Sequence, residues 1–301
     1  MADAAQPTGP RDPSRGGGPE PFEVDIAGIR LAGDRWAATA ASPHAAPIVL
    51  LHGGGQTRHS WDRSAAALAK RGHDVYTLDA RGHGDSDWAP DADYALDAFV
   101  RDLVGFLGTL SATPVLVGAS LGGITSLCVV GEHPGVASAL VMVDVVVNVE
   151  PRGIDRIKKF MTDHVDGFAS LEEVADAVAE YNPARARPAT LDGLRKNVRL
   201  RDDGRWYWHW DPDFIRSDDD EPRRHTDPER LTSAARRVTV PTLIVRGGKS
   251  DVVSDDGVAA MLDLVPQAEV ADVSAAGHMV AGDDNQVFAT AIEDFLDRHD
   301  L

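Results

Sequence analysis

The sequence predicts a doubly wound, mostly parallel α/β sheet interrupted by a helical cap insertion. Three observations predict it. Short apolar runs without polar alternation recur at residues 47–51, 75–78, 114–118 and 139–147, the pattern of strands buried on both faces. Helical stretches at 61–71, 94–110 and 120–132 separate these runs, and such alternation implies βαβ units. The rhythm then stops near residue 148 and resumes only at 240–246.

Residues 1–21 are rich in Pro, Gly and Ala and have no apolar stretch. They read as a disordered tail and not as an export signal. Residues 22–29 and 36–40 read as a hairpin turning at Gly33–Asp34. The core is expected over 22–147 and 238–301. Its second part holds a strand at 240–246, a helix at 257–264, a strand at 269–273 and a last helix at 285–298. The insertion, 148–237, contains helical stretches at 154–164, 171–181 and 188–197, the aromatic run Trp206-Tyr207-Trp208-His209-Trp210, and a charged segment at 216–230. It is expected over the carboxyl ends of the strands, where such sheets bind ligands.

Composition narrows the function. The 301 residues carry 30 Lys and Arg against 48 Asp and Glu, a net charge of -18. That balance excludes general nucleic-acid binding and argues against an anionic membrane as partner. No apolar run approaches the roughly 20 residues that span a bilayer. The single cysteine, Cys128, excludes an internal disulfide framework or a thiolate zinc cluster. A cytoplasmic enzyme acting on a small molecule is expected, as a monomer or homodimer, with no metal or organic cofactor implied.

The chemistry concentrates at Gly118-Ala119-Ser120-Leu121-Gly122. A strand runs directly into Ser120 and a helix leaves it, so the serine stands exposed on a strained turn. A serine hydroxyl is a poor nucleophile and needs a base oriented by an acid. Of eleven histidines, His278 follows the last strand and belongs at the same sheet edge, so it is the expected base. Two carboxylates compete for the acid role. Asp251, in the glycine-rich loop after 240–246, is preferred, and Asp144, at the end of 139–147, is the alternative. The run His52-Gly53-Gly54-Gly55 follows a strand. Its backbone offers N–H donors for a tetrahedral oxyanion. Gly54 is expected as one donor, with Gly55 as second choice, and Leu121 as the other. Gly55, Trp61 and Trp208 are expected to line the substrate pocket, with Phe160, Phe168, Trp206, Tyr207 and Trp210 as further apolar lining or as packing between cap and body.

Taken in order, His52-Gly53, the segment Asp79-Ala80-Arg81-Gly82-His83-Gly84-Asp85-Ser86, Gly118–Gly123 and Gly277-His278 resemble the α/β-hydrolase superfamily. The likeness covers 22–147 and 238–300 and points to cap-bearing esterases, lactonases and cofactor-free haloperoxidases or perhydrolases. Epoxide hydrolases and haloalkane dehalogenases share the layout but place aspartate where this chain has Ser120. The resemblance implies hydrolysis of an ester, thioester or lactone through an acyl-enzyme. Carbon–carbon bond hydrolysis, perhydrolysis and a non-catalytic ligand-binding role are the alternatives on the same frame. The Asp79–Ser86 segment is expected to be structural.

Overall fold

The apolar runs become the strands of one sheet. The computed structural model describes residues 18–39, 45–182, 191–215, 227–248, 250–273 and 286–301. The strands are β1 (Glu20–Ile26), β2 (Ile29–Trp36), β3 (Ile48–Leu51), β4 (Val75–Leu78), β5 (Val115–Ala119), β6 (Ala139–Val143), β7 (Val198–Leu200), β8 (Trp206–Trp208), β9 (Thr242–Gly247) and β10 (Glu269–Val273). The helices are α1 (Asp62–Lys70), α2 (Leu96–Leu107), α3 (Leu121–Glu132), α4 (Pro151–Thr162), α5 (Leu171–Tyr181), α6 (Pro228–Ala235), α7 (Asp255–Leu264) and α8 (Gln286–Arg298). Eight strands form the main sheet in the order β1-β2-β4-β3-β5-β6-β9-β10. From β4 to β10 all neighbours are parallel, and β2 joins β1 and β4 antiparallel.

Apolar side chains pack on both faces, as a doubly wound sheet requires. One face buries Leu103, Leu127, Leu231 and Met261 from α2, α3, α6 and α7 against Leu116, Leu140 and Ile244. The other buries Ala65 and Leu68 of α1 and Phe288, Ile292 and Phe295 of α8 against Ile48, Val117 and Val141. Every residue of the central strands β5 and β6 is buried. That explains their continuous apolar runs. A third apolar cluster joins α4, α5 and the β7–β8 region to Tyr94, Phe99 and Leu121. It fastens the insertion over the strand ends. Among the described residues, no helix is long and apolar enough to cross a membrane.

Four local expectations are corrected. The first hairpin turns at Ala27–Gly28, where both residues have positive φ (54° and 85°) and Ile26 pairs with Ile29. This is the geometry of a two-residue primed turn. Gly33 lies inside β2, and a Cβ there would fall 2.4 Å from the Phe22 ring. Its glycine makes room for a ring and does not turn the chain. The insertion also contains the short antiparallel pair β7–β8, which the mostly helical reading lacked. The segment read as charged linker ends in α6. Asp227 caps α6 by accepting from the Glu229 and Arg230 N–H groups, with Pro228 in the first turn. Residues 1–17 of the expected tail lie outside the described residues, while Glu20 and Pro21 already belong to β1.

Candidate active site

Ser120 sits between the last residue of β5 and the first of α3, with φ 46° and ψ -113°. An L-residue with a side chain rarely adopts this conformation, and here the surroundings impose it. Its N–H donates to Val143 O at 3.1 Å, and its C=O accepts from Ile124 N–H at 2.9 Å. The flanking glycines are steric requirements. A Cβ at Gly118 would lie 2.3 Å from Gly122 O, and one at Gly122 would lie 2.5 Å from Leu51 O. Helix α3 therefore abuts the end of β3 and leaves Ser120 half-buried at the rim.

The glycine loop after β3 lies against this elbow. A Cβ at Gly53 would be 3.3 Å from Ser120 Cβ. Gly53 N–H donates to Gln56 Oε1 at 3.0 Å, and Gly55 N–H donates to His83 Nε2 at 3.1 Å. Gly122 N–H is committed to His52 O at 3.2 Å. The N–H groups of Gly54 and Leu121 have no acceptor among the described residues. These are the two positions expected as oxyanion donors. Gly55 has a φ of 73°, and Met161 lies 3.0 Å from the place of a Cβ there.

The carboxylates differ in setting. Asp144 follows β6 with φ 49° and is buried. One carboxylate oxygen accepts from Gly247 N–H at 3.0 Å and the other from Ser250 Oγ–H at 2.7 Å. The Asp251 side chain is about a third exposed and pairs with Arg156 of α4 at 2.8 Å. His278 lies outside the described residues, which stop at Val273 and resume at Gln286. Val273 is bonded to the turn that ends β9, whose Gly247 and Ser250 bond the Asp144 carboxylate, through Gly248 N–H to Val273 O at 2.9 Å.

The segment from Asp79 to Ser86 braces the glycine loop. The Asp79 carboxylate accepts from Arg58 N–H at 2.7 Å and from Asp85 N–H at 2.9 Å, and it pairs with the Arg58 guanidinium. Ser86 Oγ donates to Asp79 O at 2.7 Å. Arg81 forms a buried two-pronged pair with Asp102, both contacts at 2.6 Å.

A row of buried histidines runs alongside, with ring centres 5.2 Å apart for His52 and His83 and 5.9 Å apart for His83 and His209. His52 Nδ1–H donates to Gly53 O at 2.7 Å, and Nε2 accepts from Ala80 N–H at 3.0 Å. His83 Nδ1–H donates to Arg81 O at 3.0 Å while Nε2 takes the Gly55 N–H. His209 Nδ1 accepts from Gly84 N–H at 2.8 Å, and Nε2–H faces Gly55 O at 3.4 Å. A backbone N–H can only donate, so each ring must keep one bare nitrogen and stay neutral. Burial agrees: it pushes His52 down to about 4 and His83 down to about 3, and holds His209 well below the ordinary imidazole value. Sequence reasoning singled out neither His83 nor His209 as a functional residue.

These shifts predict acid sensitivity. Between the unfolded value near 6.5 and the folded values near 4 and 3, the unfolded chain binds more protons, so stability rises with pH. Lowering the pH from 7 to 5 should cost about 2 kcal/mol per buried histidine, because that loss is set by protonation of the unfolded chain. Urea denaturation at the two pH values checks it. His83→Gln should lose about 2 kcal/mol less than the parent over the interval. Identical losses would refute it.

The aromatic residues divide between layers. Trp61, expected in the pocket lining, is fully buried in the layer beneath α1 and α8, with its ring 6.1 Å from Phe288. It belongs to that core because its helical turn carries it under α1. Trp208 stacks on Trp210 at 4.8 Å and meets Phe160 and Phe168 within the cap cluster. Phe214, which no local pattern of residues marks out, lies 3.4 Å from the Cβ position of Gly54. Trp206 and Tyr207 are partly exposed in β8.

Comparison with known proteins agrees with this geometry. The α/β-hydrolase-fold family matches residues 46–284. The sn-1-specific diacylglycerol lipase of Mus musculus is 30% identical, over 83% of this chain and 80% of its own. An esterase of Mycobacterium tuberculosis is 27% identical over 93% and 91% of the two chains. A crystal structure of that esterase superposes with a TM-score of 0.72 at 26% identity, covering 93% of this chain and 92% of its own. The 2-hydroxy-6-oxo-6-(2'-aminophenyl)hexa-2,4-dienoic acid hydrolase of Metapseudomonas resinovorans is 27% identical over 84% of each chain. With the sheet order, the serine elbow and a family match over most of its length, the chain belongs to the α/β-hydrolase family.

Proposed function

We propose that this hydrolase is a serine esterase, cleaving carboxylic ester, thioester or lactone bonds of small, largely apolar substrates through an acyl-enzyme. The observation that carries the reading is the elbow. Ser120 is held at positive φ between β5 and α3, beside two N–H groups, of Gly54 and Leu121, that lack an acceptor among the described residues. Ser120 Oγ attacks the substrate carbonyl and His278 takes its proton. The two N–H groups receive the negative oxygen. Collapse expels the alcohol, thiol or lactone oxygen with the proton from His278. Water, activated by the same imidazole, then frees the acyl group.

Asp144 is the better acid on physical grounds. It is buried, both its oxygens are oriented by donors, and it follows the strand adjacent to the nucleophile's. Asp251 spends its charge on an exposed arginine. The apolar preference is supported by Phe99, Leu121, Met161 and Phe214, which meet where the cap covers the elbow. Similarity to a diacylglycerol lipase and to an esterase supports an ester substrate. The dienoic acid hydrolase favours a second reading, hydrolysis of a carbon–carbon bond in a keto acid by the same groups.

A panel of p-nitrophenyl esters with two to twelve acyl carbons, run beside a vinylogous diketone acid, tests the choice. Ester turnover at least about 10²-fold above diketone turnover is expected, a ratio equivalent to about 3 kcal/mol of transition-state preference. The opposite ratio would assign the second reading.

A further inference from the structure

We propose that His209, carried by the cap, is a positioning residue for the oxyanion loop: it holds the Gly55 peptide from the cap side and so keeps the neighbouring Gly54 N–H aimed at the substrate carbonyl. The catalytic consequence rests on the esterase reading above; the holding of the loop does not.

The loop has little steric definition of its own. Residues 53, 54 and 55 are all glycine, and Gly55 has a φ of 73°. Hydrogen bonds must therefore select one conformation from many. Three consecutive peptide groups are pinned. Gly53 O accepts from His52 Nδ1–H at 2.7 Å and from Gln56 N–H at 3.1 Å. In a trans peptide this turns the Gly54 N–H the opposite way, outward from those donors. Gly55 N–H goes to His83 Nε2 at 3.1 Å, and Gly55 O faces His209 Nε2 at 3.4 Å. The first two pins come from the core. Only the last comes from the cap, 154 residues away in sequence.

His209 is well placed to hold rather than follow. Its Nδ1 is fixed by Gly84 N–H at 2.8 Å. Two residues on, Asp211 N–H donates to Gly82 O at 2.8 Å, and the Asp211 carboxylate accepts from the buried Tyr94 hydroxyl at 2.5 Å. The same strap continues to Phe214, whose ring covers Gly54. Met161 of α4 fills the space beside Gly55. The cap thus touches both the oxyanion donor Gly54 and its neighbour Gly55, and it cannot swing from this side without breaking buried polar bonds. The ring must be neutral for its two backbone bonds to coexist, and its low proton affinity meets that need.

Two substitutions separate the bonds. In His209→Asn the short side chain can still accept from Gly84 N–H but cannot reach Gly55 O. In His209→Gln the amide nitrogen can reach Gly55 O. The readouts are kcat and KM for p-nitrophenyl butyrate, amide hydrogen exchange of the 53–57 segment, and thermal midpoint. We expect His209→Asn to lower kcat about tenfold with KM within about twofold, since small misplacements of a catalytic group cost this much or more. Exchange of 53–57 should rise, and His209→Gln should return both values to within about threefold of the parent. Parent-like kcat and exchange in His209→Asn overturn the proposal. So does an equal loss in both variants that tracks the thermal midpoint. If the parent turns over no ester, the functional reading fails by itself, and the exchange arm still decides whether His209 holds the loop. Should His209→Asn not fold, nitrogen-15 NMR of the parent decides at neutral pH. A proton on Nε2 with a bare Nδ1 supports the assignment, and the reverse tautomer overturns it.

Discussion

Ser120→Ala should lower ester kcat/KM by about 10⁴-fold or more while leaving the thermal midpoint within a few degrees of the parent. On the proposed mechanism the activity loss follows from removing the atom that forms the acyl bond. What survives is the modest rate enhancement of an oxyanion site and a binding cleft acting on water. Stability should be spared because the strain at this position is in the backbone. The Ser120 N–H bond to Val143 O and the Ile124 N–H bond to Ser120 O do not involve the hydroxyl. Alanine keeps the Cβ that the elbow already accommodates at φ 46°. Turnover of p-nitrophenyl butyrate and the mass of a fluorophosphonate adduct are the measurements. A loss of less than about 10²-fold, or labelling that persists in the variant, would place the nucleophile elsewhere.

Sheet and elbow were legible because their causes are local. A strand buried on both faces must be apolar throughout, and β5 and β6 read that way in five residues each. The glycines around Ser120 are forced by contacts within one strand–turn–helix unit, so their spacing appears in the sequence itself. Features that depend on distant partners were not legible. Gly33 resembled a turn, and only the Phe22 ring and the Thr77 carbonyl on the paired strands show why it is glycine. Ala27–Gly28 turns the chain without a strong signal because alanine seldom takes positive φ. Helix α6 was hidden in a charged stretch, although Asp227-Pro228-Glu229 is a recognisable helix start. His209 lay in an aromatic run, and its partners Gly84 and Gly55 are 125 and 154 residues away. The choice between Asp144 and Asp251 had no local answer either. Both follow strands at one edge, and only the folded chain brings Gly247 and Ser250 onto Asp144 and Arg156 onto Asp251.

That choice gives the second large effect. Asp144→Asn should lower kcat by about 10² to 10⁴-fold, as loss of the orienting carboxylate does in serine hydrolases, because the amide favours the wrong imidazole tautomer. Asp251→Asn should leave kcat within about threefold, since an ion pair this exposed to solvent contributes about 1 kcal/mol at most. Asp144→Asn also disturbs packing. Its amide nitrogen cannot accept from Gly247 N–H or Ser250 Oγ–H, and a buried donor left without an acceptor costs about 1–3 kcal/mol. Activity must therefore be compared with unfolding measured on the same samples. A catalytic role predicts a fall in kcat far larger than the unfolded fraction explains, and most severe where the imidazole must be neutral and correctly turned. A structural role predicts activity that tracks the folded fraction. Parent-like kcat in Asp144→Asn together with a 10²-fold fall in Asp251→Asn would move the acid to the loop after β9, and the Arg156 pair would then have to open in each catalytic cycle.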